Sequence, residues 1–417
     1  MKARKPSRLL SLFLVLSLLP IVGLGVAGAA PLGQETYTVQ KDDNLWNIAE
    51  KYLGSGAAYP AIVDATNKKH AEDPTFPEVI NPGLIQPGWK LAIPSKEQAE
   101  EFMAGYVPLE AKASGKITIY TSVPEKIMDK IRADFEARYP NITLDVFRAG
   151  TGKVMAKLAA EMEAGAIAAD LLWVAEPSSY EALKDKGVLL RFTPAESAAL
   201  PAKFRDPDGY YYAGRLINMI VAYNADVEPK PTGWRDLLNP AYKGKVGMAT
   251  PIKSGAALAT LGALTASEDF GWKFYEDMAA NGAMQLKSNG KVRDQLATGE
   301  LAVGIALDYQ IRQAKAKGSP VDYVWPAEGA ILIPSPVAIF NTSQNPDAAR
   351  VFVNYVLSKD GQKTLVELGS FIPVRADVDP PPDTPGMTEI KSIPVDWVSI
   401  KENTEELKDK FVAIYGE

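Results

Sequence analysis

The chain has 417 residues, of which 45 are Lys or Arg, 51 are Asp or Glu, one is His and none is Cys. A chain of this length usually forms two or three domains, and 47% hydrophobic with 23% charged residues is the composition of a folded globular protein. The lack of Cys excludes disulfides, thiolate zinc sites, cysteine nucleophiles and thiol-linked lipids, and the net charge of −6 disfavours a nucleic-acid binder.

The first 29 residues have the three-part layout of a secretory signal peptide. Residues 1–8 carry four basic side chains and no acid, residues 9–24 are almost wholly apolar, and residues 27–29 are small, as a cleavage site requires. An uncleaved membrane anchor is the alternative, because residues 9–30 are long enough to span a bilayer, although Pro and Gly within them weaken it. Cleavage takes the net charge from −6 to −10, since four positive charges are removed.

Residues 37–94 have the pattern of a small strand–helix–helix–strand module. The opening YTV alternates like a strand, and apolar residues recur at helical spacing from residue 45 to residue 52. A second amphipathic helix is predicted to end at Asn67, and the turn GLIQPG leads into a last strand, WKLAIP.

The segments YTVQKDDNLWNIAEKY and NPGLIQPGWKLAIP make this module resemble a LysM domain, a family that binds N-acetylglucosamine polymers such as peptidoglycan. The resemblance implies a shallow glycan groove formed by Asp42, Asp43, Asn44, Leu84, Ile85 and Gln86. Asp42 stands where the family usually has Gly, and Asp43 and Asn44 can also cap the first helix. We expect Trp46 and Tyr52 to lie in the core and not to serve as platforms for sugar rings.

Two stretches are predicted to be connections. Residues 68–79 are longer than is usual for the family and contain the only histidine, His70, which we interpret as a solvated loop residue. Residues 95–114 begin with a short capped helix over 95–101 and continue into small and polar residues, so we interpret them as a linker.

From residue 115 to residue 417 predicted strands alternate with predicted helices. Such units are typical of an α/β fold with a parallel sheet covered on both faces. Ligands of these sheets bind in the crevice beyond the carboxyl ends of the strands. The first predicted elements are the strands 116–120, 142–147 and 170–174 and the helices 125–139, 153–163 and 180–186.

Polar loops follow the predicted strands at this edge of the sheet. Thr121 and Ser122 follow the first strand, residues 148–152 the second and residues 176–179 the third, while residues 250–256 precede an Ala- and Leu-rich helix. Two of these loops open helices, where free backbone N–H groups and the helix dipole favour an anion. A single loop of this kind is more often a turn or a helix cap than a ligand site. Four of them at one edge of the sheet predict a ligand site.

The order of these segments resembles a periplasmic-type solute-binding protein, of the branch that includes ferric-iron and organophosphate binders of ABC importers. The resemblance spans about residues 115–417 and rests on segments such as ITIYTSVPEKIMDKIRADFEARYPNITLDVFRAGTGKVMAKLAAE, AADLLWVAEPSSYEALKDKGVL and ATGELAVGIALDYQIRQA. It implies a type II fold in which two α/β lobes close on a ligand and the closed form is recognised by a membrane permease.

The same resemblance implies the lobe boundaries. The crossing strands are expected near residues 220–224 and 330–339. Lobe one would then comprise about 115–219 with 335–417, and lobe two about 225–330. Tyr210, Tyr211 and Tyr212 are expected to be structural strand residues, and Trp173, Trp234, Trp272 and Trp325 to be core residues.

The family resemblance leaves two kinds of ligand to compare, an anionic organic solute and ferric iron. Iron-binding members use a His after the first strand, which is absent here because Thr121 and Ser122 stand in its place. The anion-binding features remain, so we expect a small anionic, phosphorylated organic solute. Ferric iron is the alternative, with Glu176, Asp308 and Tyr309 as oxygen ligands. The implied ligand-binding residues are Thr121, Ser122, Gly150, Thr151, Gly152, Glu176, Ser254, Gly255, Ala256, Asn289, Asp308 and Tyr309, with no resident metal or cofactor.

These features predict the extracellular solute-binding component of an ABC importer, not an enzyme, secreted and associated with the cell wall outside the cytoplasmic membrane. The expected partners are a small solute, peptidoglycan and an ABC permease, and the chain is expected to be a monomer that binds no nucleic acid. Without Cys the chain has no thiol for a lipid anchor, so a glycan-binding module would keep its local concentration high. A peptidoglycan glycosidase that uses two carboxylates is a further alternative, because LysM domains accompany such enzymes.

Overall fold

The computed structural model describes residues 35–79, 82 and 85–416, so the predicted signal peptide lies outside the described residues. Over this part of the chain no helix is both long enough and apolar enough to cross a membrane.

A small module occupies the N-terminal part of the described chain. Its two strands pair antiparallel, with Thr36 opposite Ala92. Its core is built from apolar residues of both helices and the last strand, such as Leu45, Ile62 and Leu91. The elements are β1 (Glu35–Thr38), α1 (Leu45–Leu53), α2 (Tyr59–Glu72) and β2 (Lys90–Ile93), followed by α3 (Lys96–Gly105).

Two residues of this module differ from the sequence-based expectation. The helix α2 continues to Glu72, so His70 lies in its last turn with Nδ1 2.7 Å from the carbonyl oxygen of Phe76, and not in a loop. Trp46 is 53% exposed and lies against the backbone of Gly56, so it is not a core residue. The physical reason is helix geometry: one residue after the buried Leu45, a side chain is rotated by about 100° away from the core.

The large domain contains one nine-stranded sheet in the order β4-β3-β5-β11-β6-β9-β7-β8, with β10 paired to β6. Its strands are β3 (Gly115–Thr121), β4 (Ile142–Arg148), β5 (Leu171–Trp173), β6 (Tyr211–Asn224), β7 (Val246–Ala249), β8 (Met284–Leu286), β9 (Val303–Leu307), β10 (Val321–Val324) and β11 (Ile331–Ile339). The strands β3, β4 and β5 run parallel, and so do β7, β8 and β9. The long strands β6 and β11 run antiparallel between these two groups, at the positions expected for the crossing strands.

Helices cover both parallel groups. They are α4 (Leu109–Lys112), α5 (Glu125–Arg138), α6 (Thr151–Glu163), α7 (Pro177–Asp185), α8 (Gly255–Ala266), α9 (Gly271–Ala280), α10 (Asn289–Thr298), α11 (Asp308–Ala316), α12 (Pro346–Leu357), α13 (Lys359–Gly369), α14 (Trp397–Glu402) and α15 (Thr404–Tyr415). The first lobe contains β3–β5 with α5–α7, α12 and α13, and the second lobe contains β7–β9 with α8–α11. Trp173 and Trp234 are fully buried, as predicted.

The C-terminal helices differ from the predicted lobe boundaries. Helix α14 packs against α7 of the first lobe and α8 of the second, and α15 packs on α8 and α9. Phe411 of α15 is buried against Tyr275 of α9, with ring centroids 6.2 Å apart. Helix α15 therefore belongs to the second lobe, because its apolar face is buried there, while α14 contacts both lobes.

The predicted linker is divided between the two domains. Helix α3 has a capping box formed by Ser95 and Gln98 and packs against α1 and α2 of the small module. Helix α4 packs instead on α12 of the large domain, where Lys112 pairs with Asp347 at 3.2 Å. Only residues 106–108 lie between these two helices.

Candidate functional site

A cleft of ≈ 1200 Å³ lies between the two lobes of the large domain. Its walls come from the loops after β3 and β4 on one side and from the first turns of α8 and α10 on the other. Ile217 of β6 and Leu307 of β9 also line it, so the crossing strand contributes to its wall.

Four helices begin at this cleft, two from each lobe. Glu125 of α5, Thr151 of α6, Gly255 of α8 and Asn289 of α10 are the first helical residues, and all four line it. The N–H groups of a first helical turn have no acceptor within the helix, and the dipole places partial positive charge there. The converging helix starts therefore favour an anion in the cleft.

The first turns of α6 and α8 retain free donors. Gly150 at the start of α6 has no side chain that could cap the helix. Ser254 caps α8 by accepting a hydrogen bond from the N–H of Ala257 at 3.2 Å, which leaves the N–H groups of Gly255 and Ala256 without an acceptor in the helix. Ser254 Oγ also accepts from Asn289 Nδ2 at 3.0 Å, so its own proton is available to a third group.

Basic side chains outnumber acidic ones around the cleft by nine to three, although the chain as a whole has a net charge of −6. The basic residues are Lys126, Lys130, Arg148, Lys153, Arg215, Lys253, Lys287, Arg293 and Lys317, and the acidic ones are Glu125, Asp294 and Glu367. A cleft lined by one sign of charge concentrates solutes of the opposite sign.

None of these nine basic residues was among the predicted ligand-binding residues, and Arg215 is the one that is buried. It lies in β6, is 2% exposed and lines the cleft, with Nε 3.3 Å from Ser335 Oγ. Its Nη1 has no hydrogen-bond partner in the part of the chain that the structure describes. Burial lowers the pKa of Arg215 from its ordinary value, and the neighbouring Tyr309 opposes this shift. The signal was present in the sequence as one charged residue within the otherwise uncharged strand YYAGRLINMIVAYN.

Eight of the predicted residues line the cleft: Ser122, Gly150, Thr151, Ser254, Gly255, Ala256, Asn289 and Tyr309. Four others do not. Thr121 is fully buried and donates its hydroxyl to the carbonyl oxygen of Trp173 at 2.8 Å, and Gly152 lies against the carbonyl oxygen of Ile252. Glu176 and Asp308 are the remaining two.

Glu176 is a buried helix cap. Its carboxylate accepts hydrogen bonds from Ser178 Oγ, from the N–H of Ser179 at 3.1 Å and from Ser179 Oγ at 2.5 Å, which fixes the start of α7. Burial raises the pKa of this carboxyl, and the hydrogen bonds from the two serines oppose the shift.

Asp308 is also used within the protein. It pairs with Arg312 at 2.9 Å and accepts a hydrogen bond from the N–H of Asn218 at 3.0 Å, and it is fully buried. Of the alternative iron ligands, only Tyr309 lines the cleft, where its hydroxyl accepts from Gln310 Nε2 at 3.1 Å. The structure therefore does not bring Glu176, Asp308 and Tyr309 together in the cleft. Among the described residues, no group of three His, Asp or Glu side chains is arranged to hold a metal.

The two lobes touch across the cleft through glycine residues. A Cβ atom added to Gly150 would lie 2.9 Å from the carbonyl oxygen of Lys253, and one added to Gly255 would lie 2.9 Å from Cγ of Glu176. A Cβ on Gly152 would overlap the carbonyl oxygen of Ile252. These distances are shorter than a van der Waals contact, so the contacts between the lobes leave no room for a Cβ atom at these three positions.

The predicted glycan residues lie at the turn after β1 and before β2. Asp42 has φ 70°, a left-handed conformation that glycine adopts most easily, which explains why Gly is usual there in the LysM family. Asp43 accepts from the Tyr37 hydroxyl at 2.6 Å, and Asn44 caps α1 through the N–H of Asn47 at 2.8 Å. Across the groove, Gln86 is exposed and Ile85 is half-buried, while Leu84 lies outside the described residues.

Two family models match this chain. The model described as bacterial extracellular solute-binding protein matches residues 130–391, and the LysM domain model matches residues 37–65.

Individual proteins extend these matches. A Salmonella typhimurium protein provisionally named a 2-aminoethylphosphonate-binding periplasmic protein is 27% identical over 263 residues, which cover 60% of this chain and 75% of that protein. The periplasmic binding protein AfuA of Actinobacillus pleuropneumoniae, solved with fructose 6-phosphate, superposes with a TM-score of 0.66 and 25% identity over 72% of this chain and 98% of its own. Iron-bound HitA of Pseudomonas aeruginosa has a TM-score of 0.62 and 20% identity, over 71% of this chain and 99% of its own, and shares the fold.

Proposed function

Because the chain belongs to the family of bacterial extracellular solute-binding proteins, which serve ABC importers, we propose that it captures a small solute with a phosphoryl or phosphonyl group by closing its two lobes. The observation that carries this proposal is the cleft itself, where four helix N-termini meet nine basic and only three acidic side chains. A dianionic group is the chemistry that such an arrangement stabilises best.

Two similar proteins support the same chemistry. The Salmonella relative is named for an aminoethylphosphonate, and AfuA was solved with a sugar phosphate. Both ligands combine a tetrahedral oxyanion with a small polar body. The cleft also offers hydrogen-bond acceptors to the polar body of such a ligand. Asn289 Oδ1 and Gln310 Oε1 are buried and have no partner among the described residues.

Ferric iron alone fits the cleft less well. Two of its three candidate ligands, Glu176 and Asp308, are buried in bonds of their own, and the excess of lysine and arginine repels a bare cation. An iron complex with an anionic chelator is instead compatible with the charge of the cleft, so ferric chloride is the probe that tests bare iron.

We also propose that the LysM domain holds the chain at the cell wall by binding peptidoglycan, and that the protein is a secreted binding protein and not an enzyme. The Salmonella relative and AfuA are both named as binding proteins, which supports the second point. The partner that completes transport is an ABC permease that recognises the closed form.

The ligand can be identified with protein purified without refolding. Mass spectrometry of released small molecules is expected to find a phosphorylated or phosphonylated compound. Thermal-shift measurements are expected to show stabilisation by 2-aminoethylphosphonate or fructose 6-phosphate, and none by fructose, spermidine or ferric chloride. Stabilisation by ferric salts alone, or by spermidine, would contradict the proposal. Release of soluble fragments from purified peptidoglycan would show an enzyme instead.

A further inference from the structure

Arg215 is a buried cation that faces the cleft without a compensating carboxylate. We infer that Arg215 selects the charge of the solute: its guanidinium binds an oxygen of the phosphoryl or phosphonyl group, and its unbalanced charge excludes cationic solutes. This inference rests on the proposed function and adds the residue that decides which solutes enter.

The position of the guanidinium is fixed by its surroundings. Arg215 lies opposite Ser335 in the pairing of β6 with β11, and its Nε is 3.3 Å from the hydroxyl oxygen of that serine. The guanidinium carbon is 4.3 Å from the centroid of the Phe371 ring and 5.7 Å from that of Trp173. Aromatic rings thus hold the group in place, while Nη1 keeps an unused donor.

Arg215 forms no direct ion pair, and Tyr309 and the more distant Asp308 only partly offset the burial of its charge. No carboxylate of the described residues lies within ion-pair distance of it, because Asp308 pairs with Arg312 and Glu176 accepts from two serines. Arg375 shows the usual arrangement for comparison, since it is 7% exposed and pairs with both Glu196 and Asp377. A buried charge without a partner is unfavourable, so the missing counter-ion points to an anionic ligand.

The surrounding donors match a group with several oxygens. Ser254 has a free hydroxyl proton, the N–H groups of Gly255 and Ala256 are unpaired within α8, and Thr151 lies beside Gly255. A phosphoryl or phosphonyl group has three terminal oxygens and a charge near −2, so it can accept from the helix start and from Arg215 together.

The test measures binding of 2-aminoethylphosphonate and fructose 6-phosphate to the full chain by calorimetry. Arg215→Met, which keeps the length and apolar stem, is expected to weaken binding of the probe that the wild type binds by about 100-fold. The unliganded variant is expected to melt no lower than the wild type, because the substitution removes an unbalanced buried charge. Arg375→Met is the matched control: it is expected to lower the melting temperature, since it leaves Glu196 unpaired and Asp377 with only Lys359 at 3.8 Å, and to leave affinity unchanged.

The outcomes separate this inference from the proposed function. If the wild type binds a phosphorylated probe and Arg215→Met binds it within about threefold, the inference is wrong and the proposed function stands. If the wild type binds neither probe and only uncharged or cationic solutes, the proposed function fails as well. If Arg215→Met does not fold, Arg215→Lys decides: it keeps the charge without the planar head, so a loss of about tenfold is expected and unchanged affinity overturns the inference.

Discussion

Glu176 shows how one carboxylate can look like a ligand and act as a structural group. It follows a buried strand, as a binding residue would, but its oxygens accept hydrogen bonds from the serines of the next helical turn. Because it is buried, its pKa is raised above the ordinary value of a glutamate.

This raised pKa predicts a pH dependence of stability. The folded protein holds the Glu176 proton more tightly than the unfolded chain does, so the folded state is favoured below the ordinary pKa of Glu. That advantage is lost as the pH rises through the raised pKa of the folded state. Glu176→Gln removes this titration, so the melting temperature of the variant relative to wild type is expected to rise as the pH increases above the ordinary pKa of a glutamate (about 4.3). The exposed Glu163→Gln is the control, and parallel profiles for Glu176→Gln would contradict the prediction.

At the scale of elements, the contact between the start of α6 and the loop before α8 decides whether the lobes can close. Gly152 lies against the carbonyl oxygen of Ile252, a backbone atom that cannot move aside as a side chain can. The contact joins one lobe to the other. A longer distance between Gly152 and the Ile252 carbonyl oxygen is therefore expected to affect closure and not the fold of either lobe.

Gly152→Ala is therefore expected to keep the fold and impair closure. Because the added Cβ would overlap the Ile252 carbonyl oxygen, the closed form becomes less populated and the affinity for a phosphorylated solute falls about tenfold. Small-angle X-ray scattering is expected to show no compaction on ligand addition. Gly290→Ala is the matched control, since the nearest atoms to its Cβ would be 3.7 Å and 4.0 Å away and closure is expected to persist. Normal compaction of Gly152→Ala would refute this role.

The C-terminal helices also act at this scale. Lys401 of α14 pairs with Asp185 of the first lobe at 2.8 Å, while Ile400 packs on Gly262 of the second. Helix α14 thus contacts both lobes, away from the cleft residues, and any opening of the lobes must change these contacts.

At the scale of the whole molecule, charge is distributed unevenly. The chain has a net charge of −6, but nine basic and three acidic residues surround its cleft. The cleft therefore attracts anionic solutes, which the rest of the surface repels.

This distribution predicts a salt dependence of solute binding. Several cleft lysines are exposed, among them Lys126, Lys253 and Lys287, so added salt screens them. The affinity for the phosphorylated or phosphonylated probe that the protein binds is expected to fall about tenfold between low and high ionic strength (on the order of 0.02 M to 0.5 M), mainly through a slower association rate. Stopped-flow measurements at several salt concentrations check this, and a salt-independent rate would contradict it.

The division of residues 95–114 predicts where the chain can be cut. A chain that begins at Pro108 keeps α4 on α12 and the buried Ala113, so it is expected to bind solute as the full chain does. It is expected to lose co-sedimentation with peptidoglycan, because the LysM domain is absent. A chain that begins at Gly115 loses α4 and Ala113 and is expected to melt at a lower temperature. Retained peptidoglycan binding by the Pro108 chain would contradict the anchoring role.

Local pattern in the sequence was sufficient to predict the families of the two domains and most of the helices and strands. The LysM and solute-binding resemblances are confirmed by the family matches, and β3, β4 and α5 lie within one or two residues of their predicted bounds. These elements depend on periodicity and on chain order, which are properties of neighbouring residues. The helix starts at Thr151 and Gly255 were found for the same reason, since a cap is a local signal.

Only the tertiary structure decided which residues face the cleft. Glu176 and Asp308 stand at the right places in the chain, but their oxygens are occupied within the protein. Ser178 and Ser179 donate to Glu176, and Arg312 and Asn218 donate to Asp308. Arg215 lies in a strand whose apolar sequence is typical of a protein core. That its Nη1 has no partner among the described residues follows only from the packing of β11 and Phe371 around it. The sequence by itself determined the two families, LysM and bacterial extracellular solute-binding protein, and the α/β fold. Which buried charged group lines the cleft depended on packing between segments far apart in the chain, which no local pattern encodes.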